Sequence, residues 1–309
     1  MAALRGEKRF ELGHVALPLP EAATLPQLPD GAVCFITGGL GGIGLTVAER
    51  LAREKGARLV LLTRQPLPAP DTWDAVLRSA SASGAQAQRI QAVRRLQGLG
   101  AEVLVVAADV CNVKDMQAAA EQARQRFGRI HLVVHAAGVV DDGPLLTKTS
   151  GAVEEVFAPK VHGVQILHEL FPDGSVDQLV LFSSTSTITA PAGQVDYVAA
   201  NEYLNAYAHS RAGGRTRVLA IDWGIWNEVG MAAKALASRL GESAPAPRHP
   251  AGSPLLDEAT FDAAGHRLFT AEWRTQDRWI LDGHRTASGQ ALLPGTGYLE
   301  LAAQALRGN

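Results

Sequence analysis

Residues 32–44, "AVCFITGGLGGIG", decide how the rest of the chain is read. The first six form an apolar run of strand length, rich in Val, Cys, Phe and Ile. Glycines crowd the next seven positions, and "LTVAERLAREKG" then spaces its apolar residues at helical intervals before stopping at Gly56. A strand that turns through glycines into a helix lets the backbone approach a phosphate closely. The free N–H groups at the helix start then meet its charge. Thr37, Gly38, Gly39, Leu40, Gly42, Ile43 and Gly44 are therefore candidate dinucleotide-binding residues. Glycine-rich turns are common by themselves; the strand before and the helix after give this one its meaning.

The same alternation continues outward. "ARLVLLTR" is followed by a polar helical stretch over 71–99, then by "AEVLVVAADV", "KDMQAAAEQARQRFG" and "IHLVVHAAG", and later by "DQLVLFSS" and "TRVLAIDWG". Apolar runs alternating with amphipathic helices predict an α/β fold, a doubly wound parallel sheet with helices on both faces. Such sheets bind ligands at the carboxyl ends of their strands. At the end of the second strand, where a site for NAD carries an acidic residue, stand Thr63 and Arg64. A guanidinium suits a 2′-phosphate that a carboxylate would repel, so NADPH is expected over NADH. The competing reading of Arg64 is a solvated cation. Asp109 and Val110 stand where an adenine edge would lie. His135, Ala136, Ala137 and Gly138 close another strand with small residues beside which a flat ring fits.

A chain of 309 residues holds one large domain, or one domain and part of another. A formal charge of −2 leaves no footprint for nucleic acid or an anionic membrane surface. No apolar run approaches the ~20 residues that span a bilayer. The N-terminus lacks an apolar core after its first charges, so a secretory leader is not expected and the cytoplasm is. Cys34 and Cys111 read as reduced thiols rather than a disulfide or metal site. The prolines of "ALPLPEAATLPQLPD" mark residues 1–30 as a lead-in linker, and "GESAPAPRHPAGSP" marks a second linker over 241–254. The expected domains are thus 31–240 and, beyond the second linker, 255–309, too short to fold alone.

The stretch "SSTSTITAPAGQVDYVAANEYLNAYA", residues 183–208, adds Ser184, Tyr197 and Asn201 in order. With "TGGLGGIG", "AADV" and "HAAGV" it resembles the ketoreductase domain of modular polyketide synthases, in the short-chain dehydrogenase/reductase superfamily of Rossmann type. The resemblance runs over about residues 31–235. It implies a catalytic set of Ser184, Tyr197, Asn201 and Lys160, the lysine coming from "VFAPKVHGVQILHEL" rather than from the position four after the tyrosine. Reduction of a ketone needs a hydride from the cofactor and a proton from the protein. Tyr197 would give the proton with Lys160 favouring its phenolate, Ser184 would bond the carbonyl oxygen, and Asn201 would orient the lysine or a relay water. Ser183 is the neighbour most easily confused with Ser184.

The resemblance implies more. "GVVDDGPLL" is similar to the Leu-Asp-Asp signature of reductases that give the D-configured hydroxyl, with Val140 in the leucine position and Asp141 and Asp142 retained. The competing reading of the two acids is a solvated turn. Thr189 and Ala199 stand where the opposite class and the epimerising class carry tryptophan and proline. The implied substrate is a β-ketoacyl chain on the phosphopantetheine arm of an acyl carrier protein, with other polyketide synthase domains as partners. Trp223 and Met231 would border the acyl group or else belong to the core. "LDGHRTASGQALLPGTGYLELA" resembles the opening of a polyketide dehydratase domain, with His284 in its histidine motif. The aspartate that a dehydratase also needs lies outside this stretch, so no dehydration is expected. The structural subdomain that usually precedes such a reductase is absent or reduced to a remnant in residues 1–30, and this, with the short region after the lid, suggests an excised piece of an assembly line. Two alternatives stay open: a free-standing reductase of small carbonyls, and an inert nucleotide-binding scaffold.

Overall fold

The computed structural model describes residues 2–11, 28–78, 84–226, 249–261, 267–286 and 289–307. The chain divides into two compact units, Met1–Gly224 and Ile225–Asn309.

In the first unit, strand β1 (Ala2–Arg5) pairs antiparallel with β2 (Lys8–Glu11) through a turn at Gly6, whose φ of +62° favours glycine. Residues 2–11 are thus a hairpin within the stretch read as a linker or subdomain remnant. The linker reading rests on the prolines further on, and a two-residue turn between short strands leaves little trace in composition.

The alternating apolar runs form one sheet. Its strands are β3 (Val33–Thr37), β4 (Arg58–Thr63), β5 (Val103–Ala107), β6 (Leu132–His135), β7 (Gln178–Ser184) and β8 (Arg217–Trp223). Their order is β5-β4-β3-β6-β7-β8 and every pairing is parallel. All five residues of β3 are buried, as expected of a strand covered on both faces. Side-chain alternation sends Val33 and Phe35 into one core layer and Cys34 and Ile36 into the other. Helices α1 (Gly42–Lys55), α2 (Trp73–Arg78) and α3 (Ala85–Gly98) supply Ala48, Ala52, Trp73, Ile90 and Leu96 to the second layer. Helices α4 (Val113–Phe127) and α5 (Ser150–Leu170) bring Met116, Ala123 and Leu167 to the first, joined by Leu204 of α7 (Val195–Ser210). A short helix, α6 (Ser186–Thr189), follows β7. The chain reverses direction from β3 between β4 and β6, which opens a crevice at the carboxyl ends of β3 and β6.

Three helix ends are written locally. Gly56, in the left-handed region, stops α1 by donating to the Ala52 carbonyl. Asn112 caps α4 by accepting from the N–H groups of Lys114 and Asp115, and Thr149 caps α5 by accepting from Ala152.

The second unit has an antiparallel sheet of β9 (His249–Pro250), β10 (Glu258–Phe261) and β11 (Arg267–Thr270), a short helix α8 (Trp279–Asp282), and α9 (Gly295–Arg307). Residues 241–248 of the expected linker lie outside the described residues.

Candidate active site

The glycine turn occupies the crevice. Gly38 has a φ of +65°, and a Cβ there would stand 2.9 Å from the Ala136 carbonyl oxygen; a Cβ on Gly44 would stand 2.5 Å from that of Gly38. Both positions exclude any larger residue. The start of α1 has no side-chain cap and no acidic residue in its first turn, which leaves its positive end open to a phosphate. A dinucleotide therefore fits the residues present: Thr37 to Gly44 would hold its pyrophosphate. Across the crevice, the Thr37 hydroxyl lies 2.8 Å from His135 Nδ1 and accepts from the Ala137 N–H at 3.4 Å. This pair ties "HAAG" to the glycine turn. Burial, then the Lys160 charge, pushes the His135 ring down to about 3, so it stays neutral. Thr63 ends β4, and Arg64 and Asp109 are exposed beyond β4 and β5, with Val110 buried. The two strand ends are joined by their pairing, with Thr63 opposite Ala107.

The expected catalytic residues converge beside Gly138. Lys160, on α5, is 4% exposed, and its Cε lies 3.1 Å from the Cβ position of Gly138. Its ammonium donates to the Phe182 carbonyl at 2.8 Å, on β7, and stands 5.7 Å from the centre of the Tyr197 ring. Burial lowers the lysine to about 8. Tyr197 lies in the first turn of α7, with Asn201 one turn on. The Asn201 Nδ2 donates to the Tyr197 carbonyl at 2.7 Å, while its Oδ1 is buried without a hydrogen-bond partner. Asn201 is thus turned toward the backbone of its own helix, and the Phe182 carbonyl orients the lysine.

Ser184 closes β7 and accepts from the Ser186 N–H at 3.1 Å; Ser183 instead bonds the Asn201 carbonyl. Burial raises the Tyr197 phenol, and the Ser184 hydroxyl and Asn201 amide pull it partly back. The sequence leads one to expect a lysine-favoured phenolate. The net direction is the reverse, because loss of water around the phenol outweighs the two hydrogen bonds.

The acidic loop lies against the segment preceding Tyr197. Asp142 accepts from Gln194 Nε2 at 2.9 Å, and the Gly143 N–H donates to the Gly193 carbonyl at 3.0 Å. Lys148 donates to Asp196 at 2.6 Å and to the Asp141 carbonyl. Gln194, Lys148 and Asp196 had no signal in the sequence beyond a polar turn and an acid in a helix's first turn. Trp223 ends β8 with its ring edge-on to Phe182, centroids 5.4 Å apart, in the core layer next to the site. Met231 lies outside the described residues. In the second unit, His284 is exposed and its Nδ1 lies 2.9 Å from the Ile280 carbonyl. Among the described residues no cluster of His, Cys, Asp or Glu is arranged to hold a metal.

A six-stranded parallel sheet of this order, with a lysine and a tyrosine from two helices meeting the end of its fifth strand in sequence, is the architecture of the short-chain dehydrogenase/reductase class. A short-chain dehydrogenase/reductase from Burkholderia phymatum in complex with NAD superposes with a TM-score of 0.53 at 25% identity, over 70% of this chain and 74% of that one. A-type ketoreductases from a modular polyketide synthase superpose with a TM-score of 0.60 at 35% identity, over 74% of this chain and 45% of theirs. The KR-domain family model matches residues 32–228, and the polyketide synthase dehydratase domain model matches residues 253–308. The chain belongs to the ketoreductase domains of polyketide synthases, followed by the N-terminal part of a polyketide synthase dehydratase domain. A phenolphthiocerol/phthiocerol polyketide synthase from Mycobacterium tuberculosis is 41% identical over 223 residues, 70% of this chain. This chain spans only 11% of the length of that relative.

Proposed function

We propose that the first unit reduces the β-ketone of an acyl chain tethered by phosphopantetheine to an acyl carrier protein. It uses NADPH, yields the D-configured 3-hydroxyacyl chain, and works in the cytoplasm among other polyketide synthase domains. The observation that carries this reading is the convergence of Lys160, Tyr197 and Ser184 beside Gly138, at the edge of the glycine crevice.

NADPH supplies the hydride when bound, held by the glycine turn, with Arg64 meeting its 2′-phosphate. The protein supplies the rest. The Ser184 hydroxyl donates to the ketone oxygen and stabilises the charge that develops there. Tyr197, raised by burial, keeps its proton at neutral pH and gives it to that oxygen as the carbon is reduced. Lys160, lowered to about 8, is a cation at neutral pH and offsets negative charge on the spent phenolate. The Asn201 Oδ1 is a buried acceptor at the same place, free to take a proton-carrying water. Asp141 and Asp142 border the side from which the ketone would enter.

The test is NADPH consumption with a β-ketoacyl thioester, followed by chiral analysis of the hydroxyacyl product. The D-configured alcohol is expected. No consumption beside an active reductase control would leave the inert-scaffold reading, and an L-configured product would overturn the role given to the acidic pair.

A further inference from the structure

The loop that carries Asp141 and Asp142 is anchored by charge. The side chains of Lys148 and Asp196 are only 3% and 1% exposed, and they meet at 2.6 Å. Burying two charges is costly, and a buried pair adds little net stability compared with apolar residues of the same shape. What such a pair gives is a single register, because either partner alone is strongly penalised. Here each partner has further bonds that fix its direction. The second carboxylate oxygen of Asp196 accepts from the backbone N–H of Tyr197 at 2.9 Å. The Lys148 ammonium also donates to the Asp141 carbonyl and lies 3.5 Å from the Asp141 carboxylate. One chain of bonds therefore runs from Asp141 through Lys148 and Asp196 to the residue bearing the reactive phenol. Asp142 on Gln194 and Gly143 on Gly193 run alongside it.

We propose that Lys148 and Asp196 are positioning residues that clamp the acidic loop to the first turn of α7, so that the ketone meets Tyr197 from one side only. The inference rests on the reductase reading above. It goes beyond that reading because neither residue touches the reacting atoms. The clamp sets the gap between the loop and the phenol, and that gap admits one orientation of the acyl chain.

The test uses Lys148→Met combined with Asp196→Asn, which removes both charges, strands neither, and keeps an oxygen for the Tyr197 N–H. NADPH affinity is expected to stay within about twofold, because the glycine crevice is untouched, while KM for the thioester and the share of the minor enantiomer rise about tenfold. Amide hydrogen exchange at Gly143 is expected to quicken about tenfold as the loop parts from residues 193–196. Lys148→Arg, which keeps the charge, should restore configuration and exchange together. A folded double variant with unchanged enantiomer ratio, KM and Gly143 exchange overturns the clamp. Should the wild-type protein reduce no thioester, the reductase reading fails, and the exchange measurement still decides the clamp.

Discussion

The glycine crevice and the catalytic cluster share one edge of one sheet, yet they depend on opposite things. The crevice works because atoms are missing: a Cβ at Gly44 would stand 2.5 Å from the Gly38 carbonyl oxygen. The cluster works because functional atoms are present at chosen distances, with Lys160 fixed by the Phe182 carbonyl and the Tyr197 phenol raised by burial. Under the proposed function, binding is thus a matter of backbone shape, whereas turnover is a matter of protonation state. The two should fail separately when each is disturbed.

Tyr197→Phe gives the largest separation. Removing one phenolic oxygen should lower kcat about 1,000-fold, within the range seen for a lost general acid, while NADPH affinity changes little. Steady-state kinetics beside a cofactor fluorescence titration checks both halves, and a parallel loss of binding would break the comparison. Gly44→Ala should do the reverse. The added carbon forces the turn open at a cost of about 1–3 kcal/mol, so NADPH affinity should fall roughly 10- to 100-fold. Turnover at saturating cofactor should fall far less.

Lys160→Met sharpens the contrast from the stability side. The ammonium is lowered from 10.5 to about 8, so the unfolded chain holds this proton more tightly than the native one. Native stability accordingly rises with pH between those values, and below pH 8 the buried charge costs on the order of 3 kcal/mol. Losing the bond to Phe182 offsets about 1 kcal/mol of the gain. The variant should therefore melt higher than wild type at pH 7, by about 2 kcal/mol, with the difference shrinking toward pH 10. A lower melting temperature at pH 7 would mean that the lysine holds the fold together rather than straining it for function.

The difference between the two regions also decides what could be read without a structure. The crevice was legible because its requirements are local: strand, glycines and helix follow one another within residues 32–56, and each acts through its own backbone. Lys160 and Ser184 were legible through resemblance, since nothing in their immediate neighbours says that α5 and β7 bring them together. The direction of the Tyr197 shift was not legible, because it follows from how much water surrounds the phenol. The N-terminal hairpin was hidden by the prolines that follow it.

The order of apolar runs and the glycine spacing by themselves determined a doubly wound sheet with a dinucleotide crevice at its carboxyl edge. Periodicity and backbone freedom act over a few residues and need no distant partner. Only the tertiary structure decided that Lys160 answers to the Phe182 carbonyl, that Asn201 turns to its own helix, and that Lys148 is buried on Asp196, 48 residues away. A charge is buried by what packs over it and paired by what the fold carries to it, and neither condition is written in the residues beside it.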